Sequence, residues 1–114
     1  ESYPDLKANQ TMAELMERGE KAYQTACAAC HQADGSGAPP AFPALKGSPI
    51  ATQDMAAHID IVVNGKSGTA MQAFGNQLSE VDLAAVITYE RNAWGNNTGE
   101  MVTPKEIFDY KNQQ

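Results

Sequence analysis

The chain has 114 residues and a formal net charge of −6. An acidic chain argues against a role in binding nucleic acid, which requires a basic patch. It allows a basic protein partner whose association weakens with salt, and the alternative is that the acidity only keeps a small domain soluble. The length is that of one small domain, whose core is marginal without reinforcement. Because only 3 Phe, 1 Trp and 4 Tyr are present to fill that core, we expect a disulfide, a metal or an apolar cofactor to complete it.

The start of the chain is polar and has no apolar periodicity. Residues 1–10 contain Pro4, and we predict a linker or tail there. No basic segment followed by an apolar run opens the chain, and no run approaches the roughly 20 apolar residues of a membrane span. We therefore expect a mature protein or an excised domain that does not itself insert into a membrane and is a monomer in isolation.

Capping residues and apolar spacing predict helices. Thr11 with Glu14 and Ser79 with Asp82 have the spacing of capping boxes, and Thr52 is predicted to cap a further helix. The apolar residues behind these caps recur at helical spacing. The predicted helices run approximately over 11–29, 52–63, 79–94 and 103–110, the last opened by Thr103 and Pro104.

Two stretches rich in Gly and Pro separate the predicted helices. They are QADGSGAPPAFPALKGSPI and NGKSGTAMQAFGNQ, and long ordered loops of this kind are usually functional. The sequence has no alternating strand pattern of note and no internal repeat. The predicted fold class is all-α, with about four helices and long Gly/Pro loops.

The segment TACAACHQADG holds both cysteines of the chain, Cys27 and Cys30, followed directly by His31. A disulfide between these cysteines would close a tiny loop and stabilise little, and a thioredoxin-like pair would need a preceding strand. A zinc site made of these three residues and His58 is a further alternative, although adjacent Cys30 and His31 are poor co-ligands of a small tetrahedral site.

The spacing Cys-x-x-Cys-His favours covalent attachment of haem. One helical turn separates Cys27 from Cys30, so both sulfurs can bond vinyl groups on one edge of a porphyrin. His31 then ligates the iron, and the permanently attached haem completes the small core. The sequence thus predicts one haem c, bound through Cys27 and Cys30.

A sixth iron ligand is predicted in the second Gly-rich loop. Met71 lies in GKSGTAMQAFG, where small residues allow the backbone to pass close to a flat ring. The other candidates are Met12, Met16, Met55, Met101 and His58. We interpret the methionines as packing or tail residues, and His58 as a surface or a satisfied histidine. With His31 and Met71 on the iron, no site remains for a substrate, which predicts an electron carrier and not an enzyme.

Two further interactions are predicted around this site. We expect the Pro43 carbonyl to accept a hydrogen bond from the second ring nitrogen of His31, although Pro43 can also act as a simple loop stiffener. Gly19 and Tyr23 of the first helix are expected to cross closely against Val86 and Tyr89 of the third, because glycine permits a close approach of two helices.

The chain resembles a class I cytochrome c over about 15–94. The resemblance rests on Gly19 and Tyr23, on CAACH, on PALKG at 43–47, on the loop of Met71 and on the helix that contains Tyr89. It implies an all-α fold around one haem, with an exposed haem edge through which electrons pass.

A more specific resemblance is to the cytochrome c domain of subunit II in bacterial caa-type haem-copper oxidases. PPAFPALKG, GTAMQAFG and above all YERNAWGNNTG, at 89–99, support it. It implies that a redox protein donates an electron to the haem and that the dinuclear copper centre of the oxidase accepts it. It also implies a position on the periplasmic side of a bacterial membrane, tethered through a preceding portion of the protein.

The resulting division of the chain is a linker or tail at 1–10, a cytochrome c domain at 11–95 and an extension with a short helix at 96–114. The main alternative is a free periplasmic cytochrome that carries electrons between respiratory complexes. A haem enzyme or ligand sensor with weakly bound Met71, and a thiol-redox or structural module without haem, are the hypotheses from other classes.

Overall fold

The computed structural model describes residues 11–37, 44–66, 71 and 73–112, with the side chains of 29 and 30 left out. The part of the chain so described is helical and contains no strand, which confirms the all-α prediction. None of its helices is both long and apolar enough to cross a membrane. In chain order the helices are α1 Met12–Ala26, α2 Ala28–His31, α3 Pro49–Thr52, α4 Met55–Asn64, α5 Glu80–Asn92 and α6 Pro104–Asn112, with a 3₁₀ turn at Ala93–Gly95.

The predicted capping box at the start of α1 is confirmed. Thr11 Oγ1 accepts from the Glu14 N–H at 3.1 Å, and the Thr11 N–H donates to Glu14 Oε1 at 2.9 Å. The prediction of one continuous helix over 11–29 is wrong, because the backbone leaves helical geometry at Cys27, where φ is −121° and ψ is −30°. The chain resumes as the single turn α2. Neither Gly nor Pro marks this break in the sequence.

The prediction that Thr52 caps the next helix is also wrong. The Thr52 hydroxyl donates to the Ser48 carbonyl at 2.7 Å, so Thr52 closes the short helix α3, which Ser48 caps. Helix α4 begins later, because the Asp54 carboxylate accepts from the Ala57 N–H at 3.0 Å. The observed end of α4 at Asn64 agrees with the predicted one.

The caps of the last two helices follow the prediction. Ser79 Oγ accepts from the Asp82 N–H at 3.1 Å at the start of α5. At the start of α6, Thr103 Oγ1 accepts from the Glu106 N–H at 3.2 Å, and the Thr103 N–H donates to Glu106 Oε1 at 2.8 Å. The predicted end of the third helix, Trp94, falls in the 3₁₀ turn that extends α5.

Helices α1 and α5 cross at Gly19, as the sequence predicts. A Cβ added to Gly19 would lie 2.1 Å from the Ala85 carbonyl oxygen and 2.7 Å from the Tyr89 Cβ. The backbones therefore touch, and no other side chain fits between them. Beside the crossing, the rings of Tyr23 and Tyr89 pack with centroids 5.6 Å apart.

One hydrophobic cluster joins α1, α4, α5 and α6. Val102 lies before α6 and Ile107 lies in it, and neither has any exposed surface. Residues after 95 therefore contribute to this core, and the division of the chain at 95 stays a prediction. The buried members of the cluster are Tyr23, Cys27, Ile59, Val62, Val63, Phe74, Leu83, Ala84, Val86, Ile87, Val102 and Ile107.

Polar contacts fasten α6 to the segment that precedes α5. Lys111 Nζ donates to the Gly75 carbonyl at 2.8 Å and pairs with Glu80 Oε2 at 2.9 Å. The Tyr110 hydroxyl donates to Asp60 Oδ1 of α4 at 2.5 Å. The last helix thus packs against α5 and reaches α4 through Tyr110.

Replacing Gly19 by Val is expected to lower the free energy of unfolding by about 3 kcal/mol, since backbone atoms of α5 would have to move. Ala13→Val, at an exposed position of the same helix, is the control and should cost about 0.5 kcal/mol through helix propensity. Chemical denaturation measures both. Equal losses for the two variants would contradict the close crossing.

Candidate functional site

The CAACH segment forms a single helical turn between α1 and the first Gly/Pro loop. Cys27 is buried; its N–H donates to the Tyr23 carbonyl at 2.9 Å, and its carbonyl accepts from the His31 N–H at 3.0 Å. Cys27 and His31 therefore stand at opposite ends of one turn. Cys30 lies in the same turn, but its side chain is outside the described part of the chain.

The backbone after His31 is held by contacts on both sides. Gln32 has a φ of 70°, a left-handed conformation that turns the chain out of α2. The Tyr23 hydroxyl donates to the Gln32 carbonyl at 2.6 Å, and the Gly37 N–H donates to the His31 carbonyl at 2.9 Å. Helix α1 thus fixes the residue that directly follows the histidine.

Tyr23 is fully buried at this position. Burial raises the pKa of the Tyr23 hydroxyl above its ordinary value, and the negative charge of Glu90 raises this pKa further. The hydroxyl therefore stays protonated and keeps its hydrogen bond to the Gln32 carbonyl.

Met71 lies in a loop whose ends are attached to α4. The Lys66 N–H donates to the Met71 carbonyl at 3.1 Å, and farther on the Phe74 N–H donates to the Val62 carbonyl at 2.9 Å. The half-buried Met71 packs against the hydrophobic cluster that contains Cys27. The small residues predicted to let this loop pass a flat ring, 68–70, lie outside the described residues.

The hydrophobic cluster that contains Cys27, and that Met71 contacts, has partly exposed apolar side chains around it that fit a large apolar group. Apolar side chains from both Gly-rich loops, from α4 and from the segment before α5 pack against this cluster, and each of them is partly exposed. An apolar partner that covered them would gain the free energy of removing this surface from water. These side chains are Leu45, Met55, Met71 and Leu78.

His58, the rival candidate for the sixth ligand, instead contacts Glu90 and Arg91. It is buried, with Nε2 2.7 Å from Glu90 Oε1 and Nδ1 3.5 Å from Arg91 Nη1. Both ring nitrogens have partners, so His58 is a satisfied histidine, which is one of the two alternatives predicted, and it lies in the interior. Among the described residues, no three His, Cys, Asp or Glu side chains are placed to share a metal ion.

The buried polar group of His58, Glu90 and Arg91 was not predicted from the sequence. Arg91 has no exposed surface; its guanidinium also pairs with Glu100 and donates to the Ile50 carbonyl at 3.4 Å. The signal was the adjacent charged pair Glu90 and Arg91 in a helix whose preceding residues are apolar. Pro43, the predicted acceptor for His31, lies outside the described residues.

His58→Leu is expected to lower the free energy of unfolding by about 3 kcal/mol, because it leaves the buried Glu90 carboxylate without its histidine. The double variant His58→Leu with Glu90→Leu should be more stable than this single variant, because the buried Glu90 carboxylate that lacks its partner is then removed as well. Denaturant titrations of the single and double variants measure the coupling. Additive losses would contradict it.

Tyr23→Phe is expected to lower the free energy of unfolding at neutral pH by about 1 kcal/mol, through loss of one buried hydrogen bond. The ordinary tyrosine pKa is 10.0 and the folded-state pKa is higher, so the native state retains its proton longer than the unfolded state. The stability that this hydroxyl contributes is therefore complete below the ordinary pKa and is lost as pH rises toward the folded-state pKa. Denaturation at several alkaline pH values should show the difference between Tyr23→Phe and the parent shrinking. A difference that does not change with pH would contradict this account.

Comparison with known proteins gives the family. A family model described as "Cytochrome C oxidase, cbb3-type, subunit III" matches residues 14–89. The cytochrome c subunit of a quinone-type alcohol dehydrogenase from Gluconobacter oxydans (strain 621H) is 34% identical over 78% of this chain and 21% of its own length. The cytochrome c subunit of gluconate 2-dehydrogenase from Pantoea cypripedii is 29% identical over 84% of this chain and 24% of its own length.

The chain thus spans between a fifth and a quarter of these relatives, whereas the family model covers most of the chain. The all-helical structure, the CAACH turn and the apolar surroundings of Cys27 and Met71 are consistent with that match. The chain belongs to the cytochrome c family: it is an electron-transfer domain of the class I fold that carries covalently bound haem c.

Proposed function

We propose that Cys27 and Cys30 bind the haem covalently and that His31 and Met71 are its two axial ligands. Each thiol adds across a vinyl group, so that a sulfur–carbon bond forms while the thiol proton passes to the other vinyl carbon. The reaction needs no oxidant. The observation that carries the assignment is that Cys27 of the CAACH turn belongs to the buried hydrophobic cluster against which the partly exposed Met71 packs.

The haem, when bound, supplies a one-electron couple between Fe(III) and Fe(II). Under this proposal both axial positions are taken by the protein, so that substrates cannot reach the iron. The thioether of Met71 is a soft, neutral donor that favours Fe(II) and raises the reduction potential. The Pro43 carbonyl is proposed to accept from the other nitrogen of His31 and so to fix the orientation of its ring.

The function supported best is the transfer of single electrons between protein partners within a larger redox assembly. The relatives are cytochrome c subunits of dehydrogenases, which supports a dehydrogenase complex as the source of the electrons. Because c-type haem is attached outside the cytoplasm, we propose that the domain functions on the periplasmic side of a bacterial membrane. A tether through a preceding portion stays a prediction.

A second candidate is the electron-entry domain of a terminal oxidase, which passes electrons to a dinuclear copper centre. The resemblance of YERNAWGNNTG to oxidase subunit II favours it. The matching family model is described as subunit III of a cbb3-type oxidase, which is a different subunit. The curated relatives named above are dehydrogenase subunits and give it no support. The free periplasmic cytochrome is the remaining alternative.

Stopped-flow measurements can separate these partners. The reduced domain is mixed with a purified copper domain of subunit II, and in a second experiment the oxidised domain is mixed with a reduced dehydrogenase. A dehydrogenase partner predicts fast, salt-sensitive reduction in the second experiment and slow oxidation in the first. Fast oxidation by the copper domain, with slow reduction by the dehydrogenase, would contradict the first candidate and support the second.

Met71→Ala is expected to abolish the low-spin, six-coordinate spectrum of the ferric protein and to lower the midpoint potential, because the soft ligand is lost. Visible absorption and electron paramagnetic resonance measure the change. Met101→Ala, at a methionine with 37% of its surface exposed, is the matched control and should leave both quantities unchanged. An unaltered low-spin spectrum in Met71→Ala would refute the assignment. Rapid binding of carbon monoxide to the parent protein would instead favour a ligand sensor.

A further inference from the structure

Two side chains that follow α5 contact both described ends of the loop after His31. The described parts of this loop are 33–37 and 44–47, and we call Trp94 and Asn96 the clasp. Trp94 also packs against Tyr23 of α1, with ring centroids 5.0 Å apart, and neither residue of the clasp was assigned a role of its own from the sequence. Their contacts show how a segment remote in sequence reaches the backbone next to the proposed proximal ligand.

Asn96 uses its whole carboxamide on backbone groups. Its Oδ1 accepts from the Gly47 N–H at 2.7 Å. Its Nδ2 donates to the Leu45 carbonyl at 3.1 Å and to the Glu90 carbonyl at 2.7 Å. One side chain therefore ties the far end of the loop to the last turn of α5, and no aspartate or leucine can reproduce all three bonds.

Trp94 fixes the near end of the same loop. Its indole N–H donates to the Ala33 carbonyl at 3.1 Å, two residues beyond His31. Its ring lies against Gly35, where an added Cβ would come within 2.5 Å of the ring. Trp94 itself has a φ of 56°, a conformation that side chains of this size rarely adopt and that surrounding contacts must maintain.

The two ends of the loop are also joined to each other. The Gly35 carbonyl accepts from the Leu45 N–H at 2.8 Å and from the Lys46 N–H at 3.0 Å. A displacement at Leu45 is therefore passed to Gly35, and from there to the residues that follow His31. The clasp acts on this unit at two points, through Ala33 and through Leu45.

We propose that Asn96 and Trp94 are positioning residues for the proximal histidine of the haem. They hold the backbone after His31 and thereby set the orientation of its imidazole ring, on which the electronic structure of the iron depends. This inference rests on the proposed ligation by His31. Loss of the clasp loosens the loop and admits water, which stabilises Fe(III) as the more highly charged state.

The chain offers a matched control in Asn92. Its Nδ2 donates to the Thr88 carbonyl at 2.8 Å and to the Glu100 carbonyl at 2.9 Å, and its Oδ1 accepts from the Gly99 N–H at 2.8 Å. Asn92 thus makes the same three kinds of bond as Asn96. All of its partners belong to α5 or to the segment after it, and none to the loop that follows His31.

The experiment compares Asn96→Ala with Asn92→Ala in the haem-loaded protein. Both variants should lose thermal stability, because each loses three backbone contacts. Only Asn96→Ala should lower the midpoint potential, change the g-values of the ferric signal and bind added imidazole several-fold faster. Equal potentials and spectra in the two variants would overturn the inference, because the role of Asn96 would then be structural alone.

Two milder variants keep the test decisive if Asn96→Ala fails to fold. Asn96→Asp retains the acceptor for Gly47 and loses both donors, and Trp94→Phe retains a ring and loses the N–H that binds Ala33. Each should show a smaller shift of potential in the same direction, and unchanged potentials in both would overturn the proposal. A parent protein without low-spin, methionine-ligated haem would instead refute the proposed ligation, so the two failures are distinguishable.

Discussion

The backbone contact between α1 and α5 at Gly19 is the constraint on which the other features depend. The two helices approach until the Ala85 carbonyl and the Tyr89 Cβ leave no room for a side chain. This approach places Tyr23 beside Tyr89 and Trp94, with ring centroids 5.6 and 5.0 Å away. Because Cys27 follows Tyr23 by one turn of α1, the crossing also sets where the CAACH turn leaves the core.

A second constraint is the charge buried in the middle of a small domain. Arg91, Glu90 and His58 lie together in the interior, joined to Glu100 at the surface. Such a group is costly to desolvate and seldom adds net stability over a hydrophobic equivalent. Its members come from α4, α5 and the segment before α6, so it specifies how these parts face one another.

The sequence was sufficient for the helices, for most of their caps and for the crossing, since these depend on local spacing and on one glycine. The predicted helix boundaries were wrong at Cys27 and Thr52. At these positions hydrogen bonds between residues close in sequence ended or delayed a helix, although neither position is a Gly or a Pro. The CAACH motif was recognisable because covalent haem attachment requires those residue types at that spacing, whereas Met71 stays a predicted ligand. The contacts of Asn96 and Arg91 were not, because their partners lie far away in sequence and belong mostly to the backbone.

The position of Trp94 has an optical consequence. It is the only tryptophan of the chain, and its indole rests on Gly35 and donates to the Ala33 carbonyl. Its fluorescence is therefore an intrinsic probe of the folded domain, without any label. In a domain that carries a strongly absorbing porphyrin, energy transfer quenches this emission for as long as the chain stays folded around the porphyrin. The return of the emission thus reports the loss of the folded domain.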